Sequence, residues 1–293
     1  FSFRYKKQIN DILSCAAMLT DLRSTLALAE EKGCAIPAFN CYTQECVMGV
    51  LEAAKETGAP VIFQIFSRLA DTNDGNFVAP AILEAIRQLP QPAVMHLDHG
   101  AGIPEVVRAI RLGMTGVMID ASTLPLEENI AMTKLAAELC GYAGVPVEGE
   151  LGHVGATKDE VLGNYTDVAE AERFVKETGV STLAVMVGTA HGRYKKAPVL
   201  DIQRIRDIRE ATGKLPLVLH GGSGVPDEQI RMAVEAGIRK VNFATDLCYA
   251  FLDQVMVTER TTVALDVFMR EPIHAIRDYC IGKIRLLGAD RIL

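Results

Sequence analysis

Residues 92–120 read PAVMHLDHGAGIPEVVRAIRLGMTGVMID. An apolar run ends in polar residues at Asp98 and His99. Residues 103–112 then carry apolar side chains at helical spacing and stop at Gly113, and a second apolar run closes at Asp120. Short apolar runs bounded by Gly, Pro or polar residues are the signature of strands buried on both faces, and a helical stretch between two of them makes a β-α-β unit.

The same unit recurs on both sides. Upstream, AIPAFN ends at Asn40 and PVIFQI at Ile65. Downstream, VPVEGEL ends at Leu151, STLAVMV at Val187, LPLVLH at His220 and RKVNF at Phe243. Helical stretches over residues 43–55 (stopping at Gly58), 126–139 (stopping at Gly141) and 226–236 (stopping at Gly237) fall between such runs. Asp227 and Glu228 suit the positive end of the last of these. Eight β-then-α units in series predict an α/β fold, a single-domain (β/α)8 TIM barrel, with an open doubly wound sheet as the alternative. The 293 residues agree with a barrel, typically about 250 residues with room for insertions. The tail from about Asp266 reads as helical and is expected under or beside the barrel. Residues 1–17 are expected to be an extension of unknown role, with the barrel domain over 18–293.

Hydrophobic residues at 49% and charged residues at 23% give the balance of a globular enzyme with a large core. The formal net charge is −7, and without a basic stripe a nucleic-acid partner is not expected. No apolar run approaches the roughly 20 residues of a membrane span, so neither a membrane partner nor a membrane location is expected. Seven cysteines, without C-x-x-C, predict reduced thiols in a cytoplasmic protein.

The polar residues that interrupt the apolar runs carry the chemistry. Asn40 ends strand 1, Asp98 and His99 strand 3, and Asp120 strand 4. Glu148 and Glu150 lie in strand 5, His191 follows strand 6, His220 ends strand 7 and Asn242 lies in strand 8. The C-terminal ends of barrel strands converge on one face, where active sites are built. His99, His191 and His220 on three such ends form a three-imidazole set of the kind that holds catalytic zinc with an open position. His96 has odd spacing from His99 and is expected to point elsewhere, into the barrel. His153 is ambiguous, and His274 is expected to be structural. HGGSG over residues 220–224 and NFATD over residues 242–246 follow the last two strands. Glycines, the Ser223 hydroxyl and the backbone N–H groups near Thr245 suit a phosphate there.

With these residues in view, the chain resembles the class II fructose- and tagatose-bisphosphate aldolases. The carrying motifs are HLDHG (96–100), VEGELG (147–152), GTAHGRYK (188–195), LVLHGGSGVP (217–226) and NFATD (242–246), in family order. The resemblance implies a lyase that uses Zn²⁺ to cleave a ketose phosphate to dihydroxyacetone phosphate and an aldehyde. It implies His99, His191 and His220 as zinc ligands, Asp98 as the acid/base, and Glu150 with Asp120 at an alternative metal position. Asn40, Gly192, Lys195, Gly221, Gly222, Ser223, Asn242, Phe243, Ala244 and Thr245 match substrate-binding positions. A second proton transfer is implied on the loop after strand 5, where Asp159 and Glu160 are candidates. The implied partner is a small-molecule sugar phosphate, and the implied assembly a homodimer or homotetramer.

Two departures bear on substrate. Fructose-type relatives carry Asp at the third position of N-x-x-T-D; here it is Ala244, as in tagatose-type relatives. The strand 2 end, QIFSRLA, leaves the family's distal-phosphate serine between Phe66 and Ser67, with Arg68 as a substitute. Tagatose 1,6-bisphosphate or a related ketose 1-phosphate is therefore expected, with fructose 1,6-bisphosphate as the alternative. A different metal-dependent barrel enzyme would favour H-x-H on strand 1, which reads AFNCY instead. A non-catalytic sugar-phosphate-binding barrel would have lost a zinc histidine or Asp98, and all are present.

Overall fold

Eight short apolar segments form the strands β1 (Ile36–Asn40), β2 (Val61–Phe66), β3 (Ala93–Gly100), β4 (Gly116–Ile119), β5 (Val147–Leu151), β6 (Thr182–Val185), β7 (Leu217–Leu219) and β8 (Ile238–Phe243). Each pairs in parallel with its neighbours in chain order, and β8 returns to β1, so the sheet closes into a barrel. This is the (β/α)8 barrel, not the open sheet. The computed structural model describes residues 19–155, 165–259, 261 and 263–293. The expected extension over residues 1–17, and Asp159 and Glu160, lie outside the described residues.

Helix α1 (Leu22–Lys32) precedes the barrel. Around it run α2 (Gln44–Thr57), α3 (Ser67–Ala70), α4 (Asn73–Arg87), α5 (Ile103–Arg111), α6 (Leu126–Tyr142), α7 (Val168–Thr178), α8 (Ile202–Ala211), α9 (Asp227–Ala236) and α10 (Thr245–Val257). The chain ends with α11 (Leu265–Phe268) and α12 (Arg270–Leu287). Local signals set the helix ends. Thr43 caps α2 by accepting from the Cys46 N–H, and Gly58 closes it at φ 67°, a left-handed conformation that glycine adopts at little cost. Asp167 and Gly179 do the same for α7. The tail helix α12 packs beside the barrel against α2 and α10. Gly49 permits that approach, since a Cβ there would lie 2.5 Å from Ile276 Cγ2.

Four element ends depart from expectation. Helix α6 runs through Gly141 and stops only near Gly144, at φ 69°; a glycine can be carried inside a helix for about 1 kcal/mol. Strand β3 continues two residues past Asp98 through a register shift between Leu97 and Gly100. Strands β6 and β7 stop at Val185 and Leu219, which leaves His191 and His220 on the loops that follow.

Strand alternation directs every second side chain inward. Contacts across the barrel identify that face: Asn242 on β8 reaches Asp98 on β3, and Lys240 on β8 reaches Glu148 on β5, although neither pair of strands is adjacent. The outward side chains, among them Phe39, Phe63 and Phe243, are fully buried beneath the helices. The described cysteines, Cys34, Cys41, Cys46, Cys140, Cys248 and Cys280, are free thiols. Among the described residues, no helix is long and apolar enough to cross a membrane.

Candidate active site

The β3 bulge decides where the first histidine points. His99 has φ 53°, a left-handed conformation uncommon outside glycine and costly for a ring-bearing residue, of the kind that clusters at functional sites. Its Nδ1 lies 2.7 Å from Asp120 Oδ2, which turns Nε2 toward the barrel mouth. There it lies 3.0 Å from His220 Nδ1. The His191 ring stands edge-on to His99 at 4.9 Å between centroids and to His220 at 5.8 Å.

One ligand atom from each of His99, His191 and His220 falls within 4.8 Å of the others. Such a group of imidazoles can hold a divalent metal with positions left for substrate. The donor set passes a further test. His191 Nε2 is buried with no hydrogen-bond partner among the described residues, and His99 and His220 turn ring nitrogens toward each other. A shared cation would satisfy His191 Nε2 and take the place of the one proton that His99 Nε2 and His220 Nδ1 can share. A second group, His99, Asp120 and Glu150, meets the same distance criterion.

The surrounding charge favours a cation. Burial alone would strip the proton from His99, but Asp98, the Asp120 hydrogen bond and Glu150 outweigh it and hold the group up at about 10. Burial also opposes the Asp120 carboxylate, yet the His99 hydrogen bond and charge keep it well below the usual range. Burial, reinforced by the Asp120 charge, pushes Glu150 up to about 8. Burial and the neighbouring His99 charge push His191 down to about 4, and His220 is likewise driven well below its ordinary value, by burial first.

These shifts give a signed expectation for the metal-free protein. His99 is raised from 6.5 to about 10, so the folded state holds a proton that the unfolded state releases. That stabilisation is complete below 6.5 and lost as pH rises through 10. Glu150, raised from 4.5 to about 8, acts in the same direction. His191, depressed from 6.5 to about 4, acts oppositely and only on the acid side. The urea midpoint of metal-free protein should fall between pH 6.5 and 10, and saturating Zn²⁺ should flatten the fall. A flat metal-free profile would contradict the electrostatics described.

Asp98 is clamped by two amides. Asn40 Nδ2 donates to Oδ2 at 2.6 Å and Asn242 Nδ2 to Oδ1 at 3.1 Å, while Gln64 Nε2 supports Asn40 Oδ1 at 2.9 Å. Asp98 Oδ1 stands 3.9 Å from His99 Nε2. Asn40 and Asn242, expected to meet substrate, thus also hold Asp98. Ser122 ties the far side together, with its hydroxyl 2.7 Å from Asp120 Oδ1, 3.0 Å from Glu150 Oε1 and 3.0 Å from His153 Nδ1.

Beside this group a small cavity is lined by Asn40, Asp98, His191, Gly192, Gly221, Ser223, Asn242, Ala244 and Thr245. A wider one of about 540 Å³ shares Asn40, Asp98, His191, Ala244 and Thr245 with it and opens toward Tyr42, Phe66, Ser67, His99, Asp120, His153, Val154 and Gly155. Gly221, at φ 65°, admits no side chain, because a Cβ would lie 2.5 Å from the Ala190 carbonyl oxygen. Gly222 packs against Val241 and donates to the Asn242 carbonyl at 3.1 Å. Helix α10 begins after Ala244, which offers no capping side chain; of its first N–H groups Asp246's is taken by Ser223 Oγ, and Thr245's, the first, is the one placed for an anion. Ser223 Oγ accepts from Asp246 N–H at 3.2 Å, and Gly224 N–H donates to Asp246 Oδ2 at 2.8 Å. Tyr194 Oη spans the Ala190 and Gly221 carbonyls at 2.8 and 3.0 Å, joining the loops after β6 and β7. Lys195 is exposed at the edge of these loops. Phe243 turns its ring away, stacked on Phe39 at 5.9 Å, so its backbone is what borders the site.

Four residues now visible in the site had no specific role from sequence: Gln64, Ser122, Lys240 and Glu148, the last noted only among the polar residues of strand 5. The signal was present for three of them. Gln64 interrupts VIFQIF, Glu148 stands two residues before Glu150, and Lys240 two before Asn242. Period two places each on the inward face.

Comparison with known proteins follows the same pattern. The family described as fructose-bisphosphate aldolase class-II matches residues 20–291. The YdjI protein of Escherichia coli K12 is 36% identical over 277 residues, covering 93% of this chain and 99% of that protein. The crystal structure of the YdjI aldolase from Escherichia coli K12 superposes with TM-score 0.84 at 35% identity, over 93% of this chain and 98% of the other. Fructose-bisphosphate aldolase from Campylobacter jejuni shares the fold at TM-score 0.78 and 23% identity, over 92% and 94%. By sequence and by fold, this chain belongs to the class-II fructose-bisphosphate aldolase family.

Proposed function

We propose that this protein is a zinc-dependent aldolase that cleaves a ketose 1-phosphate, or a ketose bisphosphate, to dihydroxyacetone phosphate and an aldehyde. The observation that carries the reading is the convergence of His99, His191 and His220 beside the doubly clamped Asp98. His99 and His220 would present Nε2 and Nδ1 to the metal, with His191 as the third ligand. Zn²⁺, when bound, supplies a Lewis acid for the negative charge that develops on the enediolate oxygens.

The chain's own residues account for the rest. Asp98 takes the proton of the C4 hydroxyl. The C3–C4 bond breaks, C4 becomes the aldehyde carbon, and the bond pair enters the enediolate. Asn40 and Asn242 approach Asp98 only as amide donors, so the carboxylate is oriented and remains an acceptor. Protonation of the enediolate at carbon completes dihydroxyacetone phosphate. The Gly221–Gly222–Ser223 turn and the uncapped start of α10, with Gly192 and Lys195 at the rim, support a phosphate site on this half of the substrate.

Ala244 sets the expectation for the other half. It lines both cavities with Asp98. A methyl group there cannot pair with a C4 hydroxyl, and an apolar wall discriminates weakly between epimers, whereas a carboxylate would discriminate strongly. A modest preference for tagatose over fructose 1,6-bisphosphate is expected in kcat/KM for dihydroxyacetone phosphate release, and Ala244→Asp should shift the ratio toward fructose. A native preference for fructose above about tenfold, beyond what one weak contact supplies, would refute the assignment. Absence of dihydroxyacetone phosphate from either epimer and from other ketose 1-phosphates would refute the function.

A further inference from the structure

Below the three histidines the barrel contains a buried ion pair that the cleavage reaction does not use. Lys240 Nζ on β8 donates to Glu148 Oε2 on β5 at 2.8 Å, and both side chains are fully buried. The other oxygen, Glu148 Oε1, lies 2.8 Å from His220 Nε2. We propose that Glu148 is a positioning residue that fixes the tautomer and ring orientation of His220 for metal binding, and that Lys240 is there to cancel the charge this costs. The proposal rests on the reading of His220 as a metal ligand.

A carboxylate oxygen only accepts, so the single proton of a neutral His220 must sit on Nε2. Nδ1 then keeps its lone pair, and it is Nδ1 that faces His99 Nε2 at 3.0 Å. No other neighbour can take this role. The Asn242 amide nitrogen, 3.2 Å from Nε2 and 3.5 Å from Nδ1, is a donor and cannot accept the ring proton. His96 Nε2 stands 3.5 Å from Glu148 Oε2 and makes no hydrogen bond among the described residues. Glu148 therefore supplies the acceptor that metal-binding imidazoles regularly have behind them.

Lys240 answers a different problem. Asp98 and Asp120 already stand beside the histidines, and a further uncompensated carboxylate would weaken the electron-withdrawing power of any cation they hold. An ammonium on the far oxygen of Glu148 removes that charge and leaves the acceptor in place. Stability alone is a poor reason for such a pair, because replacing a buried ion pair by apolar side chains of similar size is often neutral or stabilising.

The test is the Zn²⁺ dissociation constant, measured by competition with a chromophoric chelator, on native protein and three variants whose folding is checked by thermal melts. His220→Ala should bind Zn²⁺ far more weakly. Glu148→Met with Lys240→Met removes the acceptor and both charges, and should weaken binding about 10–100-fold, the usual cost of losing such a partner, while the fold persists. Glu148→Gln with Lys240→Met keeps an acceptor without charge and should stay close to native. Native-like affinity in the double Met variant, while His220→Ala is impaired, would overturn the positioning role alone. Equal losses in both double variants would overturn it too, because the effect would then be one of packing or charge. Native-like affinity in His220→Ala would instead remove the metal reading on which the proposal stands.

Discussion

Stripping the metal from the protein should abolish ketose-phosphate cleavage, and added Zn²⁺ should restore it. The expectation follows from the chemistry of the site. Breaking the C3–C4 bond leaves a carbanion equivalent whose charge must reside on the two enediolate oxygens. His99 carries a proton without metal, but it is hydrogen-bonded to Asp120 and its charge is spent on the carboxylates around it. His191 and His220 are held neutral by burial. Removing a stabiliser of transition-state charge costs several kcal/mol, and the proposed metal would be such a stabiliser. The measurement is dihydroxyacetone phosphate release before chelation, after it, and after stoichiometric Zn²⁺. Undiminished turnover in protein shown to be metal-free would refute the metal assignment.

Asp98→Ala should lower turnover by roughly 10²–10⁴-fold, the contribution of a positioned proton transfer, with metal content unchanged. The two effects separate because Asp98 is not among the grouped ligand atoms, although its Oδ1 stands 3.9 Å from His99 Nε2. The replacement also leaves the Asn40 and Asn242 amides without their shared acceptor. An unpaired buried donor costs about 1–3 kcal/mol, so some stability should be lost alongside activity. Asp98→Asn keeps the shape and provides the control: with the Asn242 amide turned so that its unpartnered Oδ1 meets the new NH2, it should lose turnover as severely while losing less stability. Near-native kcat in either variant would remove Asp98 from the proton transfer.

The features legible in the sequence share a cause, and so do those that were not. Strands and their order could be read because each apolar run is short and bounded by breakers, as GVMID is between Gly113 and Asp120. That His99, His191 and His220 share one face followed from strand order, since a barrel gathers its strand ends; how their rings meet depends on the β3 bulge and on the loop that carries His191 beyond Val185. The bulge before Gly100 could not be read, because it depends on how β3 meets β4 and on Met118, whose Sδ lies 3.4 Å from His99 N. Partnerships across the interior were hidden for a similar reason. Lys240 and Glu148 stand 92 positions apart, and only the curvature and stagger of the closed sheet bring β5 and β8 face to face. Asn40 and Asn242 were recognised as site residues, but their grip on Asp98 joins β1 and β8 to β3, a geometry that no local pattern encodes.

The most direct test of the central claim needs no knowledge of the aldehyde. If the metal site and its neighbours stabilise the enediolate of dihydroxyacetone phosphate, the enzyme should exchange one C3 proton of that compound with solvent when it is the only substrate present. Proton NMR in D₂O, on Zn²⁺-loaded and metal-free protein, gives the answer. The account predicts loss of a single C3 proton signal with Zn²⁺ and none without it. No exchange by the Zn²⁺-loaded enzyme, or equal exchange by the metal-free protein, would contradict it.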